Sequence, residues 1–125
     1  MRHFIKRNRV ASIAAVVALL ALSASEARAD ARLLSAVPAP DARVASPQTV
    51  MVKFNEDIDK NLSTVKLTDG GGQAVATMQM PTSDPKTFAV MPDVSLAPGQ
   101  YTVSWTVVGT AGGHKMQGTY HFTVK

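Results

Sequence analysis

His114-Lys115-Met116 sets an imidazole and a thioether two residues apart, and an extended chain would turn both to the same side. One nitrogen and one soft sulfur in that arrangement suit a soft metal ion. The other histidine of residues 30–125, His121, alternates with Tyr120 and Phe122 and is expected to face solvent. Neither histidine lies in a His-Glu-x-x-His pattern, so a zinc-protease helix is absent. Met78 and Met80 share a strand face with Met91 near them. Methionine at alternating strand positions ordinarily fills core, and that is the expectation here. Met51 is expected exposed or at the margin of a sheet. The polar cluster Asn55-Glu56-Asp57-Ile58-Asp59-Lys60-Asn61 gathers three carboxylates. As a calcium loop starting at Asp57 it fails, because the sixth position, which needs glycine, is Leu62. It reads as a polar loop.

Other chemistries are removed by elimination. The chain has 0 cysteines, which excludes a thiolate nucleophile, a disulfide scaffold and a Cys-ligated zinc or iron–sulfur site. No Gly-x-Ser-x-Gly elbow occurs. Gly70-Gly71-Gly72 lacks the Lys-Ser/Thr tail and helix of a phosphate loop and reads as a turn. A domain this small leaves little room for a substrate cleft, so ligation and not catalysis is expected; the protein is not read as an enzyme.

The elements that must position these side chains are strands. All 8 glycines and 7 prolines lie in residues 30–125 and divide them into short segments with period-2 apolar alternation. The spacing predicts strands over Leu33–Val37, Val50–Phe54 and around Val65 and Leu67, the last ending in the Asp69–Gly72 turn. It predicts a fourth strand from Ala74 to Met80, stopped by Pro81, a fifth over Thr87–Met91, and a long sixth over Tyr101–Val108. In the sixth, Tyr101, Val103, Trp105 and Val107 face the core. A Gly-rich loop, Gly109 to Gly113, leads to a seventh strand, Gly118–Val124. Seven strands at this spacing predict an all-β, seven-stranded Greek-key, immunoglobulin-like β-sandwich, with a closed barrel as the competing architecture.

The formal charge of +4 at first suggests an anionic partner. Its position removes that reading. Arg2, Lys6, Arg7, Arg9 and Arg28 against Glu26 place the excess in residues 1–29, and residues 30–125 carry acids and bases in equal number. No nucleic-acid footprint remains. The basic start, the apolar stretch Val10 to Leu22 and the Ala27-Arg28-Ala29 end read as a secretory signal cleaved after Ala29. The apolar stretch is shorter than the ~20 residues a membrane span needs, so the mature form is not expected to insert in lipid. The expected organisation is a signal peptide over 1–29 and one domain over 30–125, beginning at Asp30.

Four ordered segments carry a family resemblance. They are Leu33-x-Ser35-x-x-Pro38-x-x-Asp41; Val52-x-Phe54-x-Glu56; Leu96-Ala97-Pro98-Gly99-x-Tyr101-x-Val103-x-Trp105-x-Val107-Val108; and Gly113-His114-Lys115 with Gly118-x-Tyr120-x-Phe122-x-Val124. Together they resemble the CopC family of periplasmic copper-binding proteins, over essentially all of residues 30–125. The resemblance implies a CopC-like sandwich, a periplasmic location, copper as the bound ion in copper homeostasis or resistance, and an inner-membrane copper transporter as a delivery partner. It implies a copper(II) site built from a mature N-terminal histidine, an Asp-x-His segment and a nearby glutamate. His114 matches the segment histidine and Glu56 the glutamate. The segment aspartate falls at Gly112, and the expected first residue is Asp30, with Arg32 where many members have a second histidine. The altered donor set is therefore His114, Glu56 and the α-amine and carboxylate of Asp30, with Met116 as a soft donor toward copper(I). The Met-rich loop that some members use for copper(I) is replaced by the short turn of Gly70 to Val75. The alternative reading is a metal-free sandwich that serves as a protein-interaction or structural module.

Overall fold

Strict alternation of apolar and polar residues makes one face of a strand buried and the other wet. β3 (Val50–Phe54) follows it without exception, with Val50, Val52 and Phe54 buried and Met51 and Lys53 exposed. β8 (Gly99–Val108) does the same from Tyr101 onward. In the computed structural model, which describes residues 32–125, such faces are closed against each other as two sheets. The expected leader, residues 1–29, and Asp30 lie outside the described residues.

One sheet has four strands in the order β1 (Leu33–Val37), β3, β7 (Thr87–Pro92) and β6 (Thr77–Met80). The other has five, in the order β2 (Arg43–Val44), β9 (Lys115–Val124), β8, β4 (Thr64–Thr68) and β5 (Ala74–Val75). The architecture is the expected all-β sandwich. Two details of the strand count differ. The segment Ala74–Met80, expected as one strand, is two: β5 pairs with β4 in one sheet and β6 with β7 in the other. Only Ala76 separates them, so the chain changes sheets without a break in its polar–apolar pattern. β2, two residues long and parallel to the end of β9, is too short to leave a periodic signal. The closing strand is also longer than expected: β9 starts at Lys115 and pairs with β8 in unbroken register from Lys115↔Val108 to Val124↔Gly99. The methionine expectation is corrected as well. Met78 is 58% exposed on an edge strand and does not fill the core.

The core is aromatic at its centre. Phe54 meets Trp105 edge-on with centroids 5.8 Å apart, and Tyr101 stacks on Phe122 at 5.6 Å. Both tyrosines anchor turns at strand ends. The Tyr101 hydroxyl donates to the Ala97 carbonyl at 2.7 Å, tying down the Leu96–Gly99 turn before β8. The buried Tyr120 hydroxyl donates to the Pro38 carbonyl at 2.9 Å, fixing the turn after β1. Burial pushes that hydroxyl up to about 12. An unfolded tyrosine ionises near pH ~10, so this contribution to stability is complete below that pH and is lost as pH rises toward about 12. Tyr120→Phe is expected to cost about 1–2 kcal/mol at neutral pH, because the carbonyl loses its donor. Urea unfolding of both proteins at neutral and strongly alkaline pH should show the gap narrowing; a gap of constant size would contradict it.

Gly118 sits directly opposite Trp105 in the β8–β9 ladder. A Cβ there would overlap the Trp105 ring and stand 2.8 Å from Cη2, in a core where the ring also touches Phe54 and Tyr120. Gly118→Ala is expected to destabilise by about 1–3 kcal/mol, the range for overpacking. Calorimetry should record the melting point falling by several degrees or more.

Candidate metal centre

One end of the sandwich is made by two loops that run against each other. The first, residues 55–63, joins β3 to β4; the second, residues 109–114, joins β8 to β9. Backbone hydrogen bonds zip them together: Asp59 N–H donates to the Val108 carbonyl at 2.8 Å and Thr110 N–H to the Asp57 carbonyl at 3.0 Å. Ile58 bridges Gly109 and is buried beneath. Ser63 adds a relay, its hydroxyl donating to the Asp59 carbonyl at 2.7 Å and accepting from Val108 N–H at 3.0 Å. Arg32, the first described residue, is at the same end, since Asn55 N–H donates to its carbonyl at 3.1 Å. A polar loop of this kind would otherwise be mobile; here it is held along its length.

Glu56 and His114 are the side chains this scaffold brings together. The carboxylate Oε2 lies 3.6 Å from the imidazole Nε2, with the histidine side chain 56% exposed and the glutamate 30%. At that separation the two atoms flank a point without closing on each other. Gly109 is the floor beneath them. A Cβ at Gly109 would collide with the Glu56 carboxylate and stand 3.5 Å from His114 Cε1, so both side chains lie over bare backbone. The Gly109 N–H donates to the His114 carbonyl at 3.1 Å and closes the loop. Gly112 and Gly113, with φ of 87° and 65°, supply the left-handed bend that returns the chain to β9.

The other acidic side chains of the cluster are engaged elsewhere. Asp57 pairs with Lys86 at 2.9 Å, a contact that holds the Lys86 ammonium above its ordinary value. Asp59 Oδ1 accepts from Asn61 N–H at 3.0 Å. Among the described residues no three His, Cys, Asp or Glu side chains converge on one point. Met116 is in the core, 8% exposed, opposite Val107. The expected shared side of His114 and Met116 is not found. Extended chain begins only at Lys115, so His114 belongs to the exposed bend while Met116 follows the inward alternation of β9. Asp30 lies outside the described residues. His121 faces solvent as expected, its Nδ1 3.0 Å from the Thr102 hydroxyl. Gly109 was not singled out by the sequence, where it is one glycine among several in a loop; its role appears only when two distant segments cross.

The CopC domain profile matches residues 33–125, nearly the whole described chain. The chain belongs to the CopC family. It is 34% identical over 110 residues to copper resistance protein C of Escherichia coli, covering 82% of this chain and 86% of that protein. It is 37% identical over 100 residues to protein YobA of Escherichia coli K12, covering 78% and 80%. Among solved structures, PcoC, a methionine-rich copper resistance protein from Escherichia coli, superposes with a TM-score of 0.71 at 34% identity, covering 78% of this chain and 100% of that one. CopC from Methylosinus trichosporium OB3b gives a TM-score of 0.70 at 28% identity, covering 77% and 94%. Two residues before His114 the chain bends at Gly112, where a Cβ would stand 3.8 Å from His114 Nδ1.

Proposed function

We propose that the protein is a periplasmic copper-handling protein that holds copper(II) at the zipped-loop end of the sandwich and passes it on, acting by ligation and transfer and not by catalysis. The observation that carries this reading is the His114–Glu56 pair, 3.6 Å apart over Gly109 on two hydrogen-bonded loops. An imidazole nitrogen and a carboxylate oxygen suit copper(II) in a tetragonal N/O site. Two donors are too few for a tight site. The missing ones come from Asp30, whose free α-amine and carboxylate would form a chelating pair once the leader is removed after Ala29. Arg32, hydrogen-bonded beside Glu56 through Asn55, is two residues further along the chain. Met116 stays with the core in this proposal, and an inner-membrane copper transporter is the receiving partner.

The reading is tested on the secreted, processed protein. Intact mass should give Asp30 as the first residue, and copper(II) titration against a competing chelator should reveal one equivalent bound at micromolar or tighter affinity, with nitrogen couplings in its EPR spectrum. Uptake only at millimolar copper overturns it. The second reading, a metal-free interaction module on the same fold, is favoured by the lack of three convergent donors among the described residues. That loose-uptake result would establish it.

A further inference from the structure

Four of the five methionines in the described residues lie on one surface, and strand register puts them there. Met51 of β3 and Met80 of β6 both pair with Ala89 of the intervening β7. Met91, two residues beyond Ala89, points the same way and pairs with Met78. In the same strands Val50, Val52, Phe88 and Val90 face the core, so the methionines occupy the outer face of the four-stranded sheet. Ala89 is the decisive residue. Its side chain is directed outward and it stands outside the core cluster, yet it is only 3% exposed. The side chains of its neighbours therefore fold over it.

Directly opposed residues in an antiparallel pair have Cβ atoms about 4.5–5.5 Å apart and diagonal ones about 7–8 Å. Met91 is opposite Met78 and diagonal to both Met51 and Met80. A methionine has three rotatable bonds and spans such gaps without moving backbone. The small Ala89 methyl lies beneath them. Met78 is 58% and Met51 40% exposed, so both side chains are open to an ion arriving from solvent. Lys53, the cation that β3 turns to this face, is paired with Asp84 at 3.4 Å, which moderates its repulsion of a bound cation.

We infer that this face is a thioether site for a soft monovalent cation, copper(I) or silver(I), formed by Met51, Met80 and Met91 around Ala89 with Met78 at its rim. Thioether sulfur selects copper(I) over harder ions. The site shares no residue with the His114–Glu56 centre, and its fate is independent of that proposal.

The test labels the methionine methyl groups with carbon-13 in the processed protein and adds silver(I), a redox-inert probe. The methyl signals of Met51, Met80 and Met91 should move together and saturate at one equivalent, while core Met116 stays still. Copper(I) measured anaerobically against a chromogenic chelator should lose on the order of 100-fold in affinity in the triple variant Met51→Leu, Met80→Leu, Met91→Leu; ligand loss should exceed the 10–100-fold of outer-shell changes. It should be unchanged in His114→Ala. Leucine keeps the apolar volume, and Met91→Leu alone, with the methyl shifts, decides the matter if the triple variant does not fold. Stationary outer methyl signals, unaltered affinity in the methionine variants, or loss on His114→Ala each overturns the inference.

Discussion

Replacing His114 by alanine should lower copper(II) affinity by about 100-fold or more, beyond the 10–100-fold typical of outer-shell partners, with the melting temperature unmoved. Among the described residues His114 is the one histidine at the zipped loops. Its side chain is 56% exposed and His114 stands outside the core cluster, so removal costs the fold little. The backbone bond that closes the loop uses the His114 carbonyl, which alanine retains. Isothermal titration of both proteins with copper(II), beside their thermal unfolding curves, gives the answer. Equal affinities would remove the centre and leave the sandwich intact. Protons compete with the ion for every donor of such a site, so wild-type affinity should also fall on acidification.

The second large effect is a gain. Gly112→Asp puts a carboxylate two residues before His114, where the resemblance to the CopC pattern leads one to expect an aspartate. A Cβ at that position stands 3.8 Å from His114 Nδ1, within reach of the ring or of an ion it holds. The φ of 87° disfavours most side chains. Aspartate is among the few that visit this region, and the variant should be less stable by about 1 kcal/mol. Against that, copper(II) affinity should rise on the order of tenfold, equivalent to about 1.4 kcal/mol. Chelator competition reads the affinity and urea unfolding the stability. A fall in affinity would mean that the bend, and not the missing donor, limits the site.

How much of this was legible in the sequence varies by element. β3 and β8 were readable because each buries one face only, and alternation records that directly. The β5–β6 division was not, because moving a strand from one sheet to the other at Ala76 changes its partners and not its pattern. His114 and Glu56 were nominated by family resemblance, and composition alone would have left the glutamate as one acid of a polar loop. Gly109 was hidden because its reason is the approach of residues more than fifty positions apart in sequence. The methionine face was misread for a related cause. Alternation says that Met78 and Met80 share a side, but which side faces the core depends on register with β7, and Met51 joins them only across that same strand.

The exposure of His114 at the tip of the β8–β9 loop has a kinetic meaning. An ion held there, as proposed, would be open to a docking acceptor while the two sheets stay shut, so handover would proceed by stepwise ligand exchange on the ion, with no parting of the sheets to set its pace. The speed of delivery would then follow the acceptor's own donors and its concentration.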